Sequence, residues 1–184
     1  KHLYEYLLNL KIKLTKEEYA DFIRAISPYF QELLKRIINE GCSIDLGEYM
    51  NVKKLKAGEE YWDLKKVERN PEMMGAFDKR FGKNSFKGEQ VKSVHLIAII
   101  DYFMEDERLR NEIHYVREAE ERIRNVAAHQ LAGVGKNVKN YNMNEILNKL
   151  KFLSVQAGLA LNNGVWNSYD YMNDLLIELL YKQN

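Results

Sequence analysis

The hexapeptide Arg124-Asn125-Val126-Ala127-Ala128-His129 sets a guanidinium, a carboxamide and an imidazole within little more than one helical turn. A histidine of near-neutral pKa can give or take a proton, and a permanently charged guanidinium can stabilise negative charge growing on a phosphate. Those are parts for metal-free phosphodiester scission. They are also parts of an ordinary helix end, where Arg and His in the last turns meet the negative pole of the helix dipole. Spacing alone does not decide, because Arg108 with His114 and Arg122 with His129 fit the same loose pattern. The following residue does discriminate. Leu109 follows Arg108 and Ile123 follows Arg122, whereas Arg124 is followed by Asn125, whose amide stands one turn from His129 and can orient its ring.

The element that must position these groups is an amphipathic helix. Leu109, Ile113, Val116, Ile123 and Ala127 fall on one face at about 100° per residue, and Glu118 and Glu121 lie on the polar side. On that wheel Asn125 and His129 are only about 40° apart, while Arg124 stands about 140° from His129 at the border of the apolar stripe. Convergence of Arg124 on His129 therefore needs a long side-chain reach or a second copy of the helix across a two-fold axis. The stripe of the helix beginning near Glu89, with Val91, Val94, Ile97, Ala98 and Phe103, predicts that the two helices face each other.

The remaining pattern is also helical. Thr15-x-x-Glu18 reads as a capping box opening a helix with Tyr19, Phe22, Ile23 and Ile26 inward. Ser27-Pro28 predicts a kink or restart before Phe30, Leu33, Leu34, Ile37 and Ile38, and Gly41 is the stop. Residues 42–88, rich in glycine and lysine, predict short helices and loops, with Asn70-Pro71 capping a helix through Phe81. Asn142-x-x-Glu145 predicts a helix to about Asn162, and Ser168 caps a last one with Leu175, Leu176 and Leu179. No segment reads as a convincing strand, so the fold class is all-α.

Composition narrows the class further. With 184 residues, a net charge of +1 and two prolines, the chain has the make-up of one helix-rich globular domain and no global charge argument for nucleic acid. The Lys79, Arg80, Lys83, Lys87 and Lys92 cluster reads as a solvated basic face. A single cysteine, Cys42, fits a reducing compartment, and no apolar run approaches the roughly 18 residues of a membrane span. The expected location is cytoplasmic. His2, His95, His114 and Cys42 share no metal-ligand spacing, which argues against a zinc site, and His114 reads as a surface residue. Gly133-Val134-Gly135-Lys136 lacks the strand, spacing and Ser or Thr of a phosphate loop and is read as a plain loop. The opening Lys1-His2-Leu3-Tyr4, without methionine or signal-peptide pattern, prompts the expectation of an upstream domain.

The Arg124–His129 hexapeptide, in a two-long-helix setting within an all-α chain, resembles the motif of HEPN-domain ribonucleases. Its polar residue, its Ala-His ending and the segment that follows are most similar to the C-terminal region of the CARF-HEPN ribonucleases of type III CRISPR systems. The resemblance implies a HEPN-like helical bundle with additional N-terminal helices. Residues 1–184 would form one domain, with 1–88 accessory and 89–184 the HEPN-like core, behind an upstream sensor domain. It implies a metal-independent, cofactor-free endoribonuclease that acts on single-stranded RNA as a homodimer and leaves a 2′,3′-cyclic phosphate. His129 would transfer the proton, Arg124 would meet the phosphate charge and Asn125 would orient the imidazole. Cyclic oligoadenylate would act only through the upstream domain. Lys136 and Lys139 are weaker candidates for guiding RNA, and Tyr141 for stacking a base. Two alternatives stand beside this reading: a catalytically silent helical dimerisation module, and a HEPN toxin of a toxin–antitoxin pair. The toxin fits less well, because Leu131 stands where many such toxins carry tyrosine.

Overall fold

A computed structural model of the chain describes residues 2–52, 59–129, 137–138 and 141–181, with the side chains of Val52, of residues 125–129 and of 137–138 outside that description. The described residues form nine α-helices and two short antiparallel strand pairs. The all-α expectation is met.

Helix α1, His2–Thr15, buries Leu7, Leu10 and Leu14 at helical spacing against α2, Tyr19–Gly41. The expected capping box between Thr15 and Glu18 does not form. Thr15 is the last residue of α1 and its hydroxyl donates back to the Lys11 carbonyl, while Glu18 precedes α2 without a side-chain cap. Helix α2 also runs through Pro28 instead of restarting there. A proline inside a helix costs about 3 kcal/mol through its lost N–H and its ring clash. That cost is outweighed because Phe22, Ile23 and Ile26 before it and Phe30, Leu33, Leu34, Ile37 and Ile38 after it enter the same core, each burial contributing about 1.5–3 kcal/mol. Helix α2 is the central pillar, touching α1 and three later helices.

The described residues between 46 and 92 form short elements. The expectation of no strand is corrected locally: β1, Met50–Val52, pairs antiparallel with β2, Glu60–Trp62, in the register Met50 opposite Trp62, and Tyr61 bridges to Gln90. Helix α3, Leu64–Glu68, is capped by Asp63. Helix α4, Pro71–Phe81, starts as its sequence predicts, with the Asn70 side chain accepting from the Glu72 and Met73 amides.

Trp62 anchors the hairpin in an aromatic nest. Its indole N–H donates to His95 Nδ1 at 3.1 Å; Phe77 and Phe86 close around both rings, and Phe81 meets that of His95. His95 Nδ1 also accepts from the Lys92 amide, so the ring is held as a neutral acceptor. Burial pulls its pKa from 6.5 down to about 4. Because the folded value is depressed, this contribution to stability is complete above pH 6.5 and is lost as pH falls toward 4. The unfolding free energy is expected to drop by about 2 kcal/mol from this group between pH 7 and pH 5. Urea midpoints of the wild type and a His95→Asn variant at the two pH values check it, the variant losing that share of the pH dependence.

Helix α5, Ser93–Phe103, begins four residues later than the Glu89 start that the pattern predicts, and Val91 is buried from the segment before it. Helix α6, Glu107–His129, follows. The predicted facing of these two helices is only a minor contact: α6 lies chiefly against α2 and against α7, Met143–Gln156. Strands β3, Asn137–Val138, and β4, Tyr141–Asn142, pair just before α7. Helix α7 is capped by Asn142 as expected but ends at Gln156, not near Asn162, since Gly158 adopts φ +72° and turns the chain away. After α8, Asn163–Trp166, comes α9, Ser168–Tyr181. Ser168 is the first residue of α9, and its hydroxyl donates to the Val165 carbonyl instead of capping from outside. No described residue of α9 is buried.

Candidate active site on helix α6

Helix α6 owes its orientation to four of its predicted stripe residues, Leu109, Ile113, Val116 and Ile123, which are all buried. Ala119 joins them. The helix continues through Asn125 and ends at His129, so the hexapeptide is helical along its backbone. The side chains of Asn125 and His129 are outside the described residues, as are Lys136 and Lys139 altogether.

Arg124 stands where its wheel position puts it, at the border of the stripe, with its side chain 55% exposed. It borders a cleft of about 400 Å³ walled by Ser27 and Gln31 of α2, Lys92 at the start of α5, and Arg117 and Glu120 of α6. The Arg124 guanidinium lies 3.6 Å from a Glu120 carboxylate oxygen one turn earlier. Glu120 is only 3% exposed. It accepts from the Ser27 hydroxyl of α2 and, at 2.5 Å, from Arg117. Arg117 reaches Glu121 as well, at 3.5 Å. The wall of the cleft beside Arg124 is thus a charge ladder, Arg117–Glu120–Arg124, fastened to α2.

The sequence reading named Glu118 and Glu121 and missed Glu120. The signal was present: Glu120 falls four residues after Val116 and three before Ile123, inside the apolar stripe, where a carboxylate stays charged only if it is paired. Arginines at i−3 and i+4 supply the pairing.

Tyr141 sits on a different side of α6. Its ring meets Tyr115 edge-on at 5.6 Å between centroids, and burial, followed by the charge of Glu118, raises its phenol pKa. Glu118 is about 20° from His129 and about 120° from Arg124 around the helix. Tyr141 therefore lies on the Tyr115 and Glu118 side of α6, away from the cleft. His114, read as a surface residue, is half-exposed and bonded to Asp101 of α5 at 2.7 Å. Among the basic residues before it, Lys92 is paired with Glu89 at 2.9 Å and Lys79 lies over the Tyr102 ring, as suits a solvated face. Among the described residues, no group of three or more His, Cys, Asp or Glu could hold a metal ion, and no helix is long and apolar enough to cross a membrane.

With this geometry in place, residues 1–177 match the family described as the Cas_Csm6 HEPN domain, nearly the whole chain. No curated protein shows significant similarity to it.

Proposed function

We propose, from the Csm6 HEPN family of CRISPR-associated ribonucleases to which the chain belongs, that this protein is a metal-independent endoribonuclease. Its substrate is single-stranded RNA, and its site is shared by the α6 helices of two protomers. The observation that carries the reading is Arg124: a half-exposed guanidinium at the mouth of a polar cleft, on the helix that ends at His129. His129 moves the proton, Arg124 stabilises charge on the phosphate and Asn125 orients the imidazole. Lys136 and Lys139 guide the strand and Tyr141 stacks a base. Residues 89–184 carry the motif helix and its neighbours, packed on α2 of the 1–88 part. Cyclic oligoadenylate acts on this site only through a separate sensor domain. The setting is the cytoplasm.

Cleavage of single-stranded RNA should persist in EDTA. Arg124→Ala should slow it by about 10²–10³-fold, or about 2.7–4 kcal/mol, if the guanidinium acts like one oxyanion-type donor. Arg124→Lys keeps the charge but loses the planar fork, so a partial rescue is expected. Single-turnover rates check both. An unchanged rate in Arg124→Ala would leave the helix-end explanation standing.

The shared site requires a dimer. Arg124 and His129 point about 140° apart on one helix, and a two-fold copy of α6 supplies the convergence. Helix α9 gives a second reason for a partner, since Tyr171, Met172, Leu176, Ile177, Leu180 and Tyr181 are all more than half exposed, and a helix apolar around so much of its girth is normally covered. Light scattering at micromolar concentration is expected to give twice the chain mass. A monomer cutting RNA at full rate would refute the shared site.

A further inference from the structure

We infer that Glu120 is the positioning residue for Arg124, holding the guanidinium at the cleft through a carboxylate that is itself locked by Arg117 and Ser27. The inference rests on the catalytic reading of Arg124 and adds the group that aims it.

A carboxylate 3% exposed is largely shielded from water and costs several kcal/mol unless its oxygens are satisfied. Glu120 meets that requirement unequally. One oxygen takes the close bond from Arg117 at 2.5 Å, and the other takes the Ser27 hydroxyl. These two partners fix the carboxylate from both sides, one on its own helix and one on α2, where Ser27 sits beside the ring of Pro28. Arg124 is the third and loosest partner, at 3.6 Å, beyond hydrogen-bond length and within ion-pair reach.

That inequality is what a positioning role needs. Arg117 is committed, paired with both Glu120 and Glu121 and 23% exposed. Arg124 is steered by the fixed charge one turn behind it but not saturated by it, so a guanidinium 55% exposed at the border of the cleft keeps N–H donors for a ligand. A phosphate arriving there can take those donors while Glu120 still restricts the swing of the side chain. Without the buried charge, the guanidinium would sample many rotamers over a solvent-exposed surface, and small misplacements of a catalytic group carry large rate penalties. Ser27 extends the effect across the fold, because it ties the aim of Arg124 to the central helix α2.

The test is a double-mutant cycle on single-turnover cleavage of a single-stranded RNA at saturating protein. Glu120→Gln keeps the shape and removes the charge, and should lower the rate about tenfold. In an Arg124→Ala background the same substitution should change the rate less than about twofold, because there is no guanidinium left to aim. Melting temperatures of all four proteins separate aim from folding. An equal tenfold loss in both backgrounds, or no loss in the wild-type background, overturns the inference. If Glu120→Gln does not fold, Ser27→Ala decides, with an expected loss of about threefold that vanishes beside Arg124→Ala; no loss, or a loss that persists there, overturns it equally. Should Arg124→Ala itself leave the rate intact, the catalytic reading of Arg124 fails first, whereas a slow Arg124→Ala with an unaffected Glu120→Gln removes only the positioning role.

Discussion

Replacing His129 by alanine is expected to slow cleavage of single-stranded RNA by about 10²–10⁴-fold, the range for losing a positioned general acid or base. The alternative is concrete. If His129 only interacts with the dipole at the end of α6, its loss costs about 0.3–1 kcal/mol of stability and leaves the rate alone. Measuring the single-turnover rate beside the melting temperature therefore separates two mechanisms that share one sequence pattern. Asn125→Ala should slow the reaction less than His129→Ala, since it loosens the orientation of the imidazole without removing the proton carrier. A fully active His129→Ala protein would return the hexapeptide to the status of a helix terminus, and the catalytically silent module would become the better reading. The length of α6 adds weight to the prediction. A 23-residue helix, pinned by Leu109, Ile113, Val116 and Ile123 against α2 and α7, gives its C-terminal turn a rigid base.

What was legible in the sequence follows from whether the decisive forces are local. Helix α4 could be read because Asn70 and Pro71 act within the first turn: a side-chain oxygen accepts two free amides, and a fixed φ suits the first helical position. The α6 stripe could be read because its burial repeats at the helical period. Helix α1 carries the same signal in Leu7, Leu10 and Leu14, but the Thr15-x-x-Glu18 pattern marks a helix start three residues before α2 and not the end of α1. The hydroxyl of Thr15 serves the helix behind it, not the one ahead. At Pro28 the local rule lost to tertiary packing, because both halves of α2 face one core. The strands of β1 and β2 are three residues long and depend on Trp62 finding His95, Phe77 and Phe86, contacts spread over more than thirty positions of chain. No window of sequence contains that information.

The site was legible in its chemistry and not in its support. Arg124, Asn125 and His129 announce themselves because they are unusual together at the end of an apolar stripe. Glu120 does not, because one more glutamate on a highly charged helix looks ordinary until the wheel places it among Val116, Ala119 and Ile123. Its partner Ser27 is 93 residues away in sequence. Membership of the Csm6 HEPN family joins the two levels: it gives the hexapeptide a ribonuclease setting, and the structure shows what surrounds its arginine.

A single 2′-deoxy sugar at the scissile position should abolish cleavage at that linkage while neighbouring ribose linkages are still cut. The reasoning is one of nucleophiles. The proposed metal-independent reaction uses the RNA's own 2′-oxygen: His129 takes its proton, the oxygen attacks the adjacent phosphorus, and the 5′-oxygen of the next nucleotide leaves, taking a proton from solvent. The bond formed closes a 2′,3′-cyclic phosphate on the upstream fragment, and the bond broken frees a 5′-hydroxyl on the downstream one. Arg124 is suited to the charge that develops on the phosphate oxygens during this exchange, since a guanidinium stays charged at any working pH and presents paired donors. Deleting the 2′-hydroxyl removes the attacking atom itself, so the loss should exceed that of any single side chain and should resist added Mg²⁺. Mass spectrometry of the fragments tests both halves of the argument. Cutting of the deoxy linkage or of an all-DNA strand at a comparable rate, a linear 5′-phosphate product, or a requirement for Mg²⁺ would each point to attack by an activated water and would take from His129 the role of activating the 2′-oxygen.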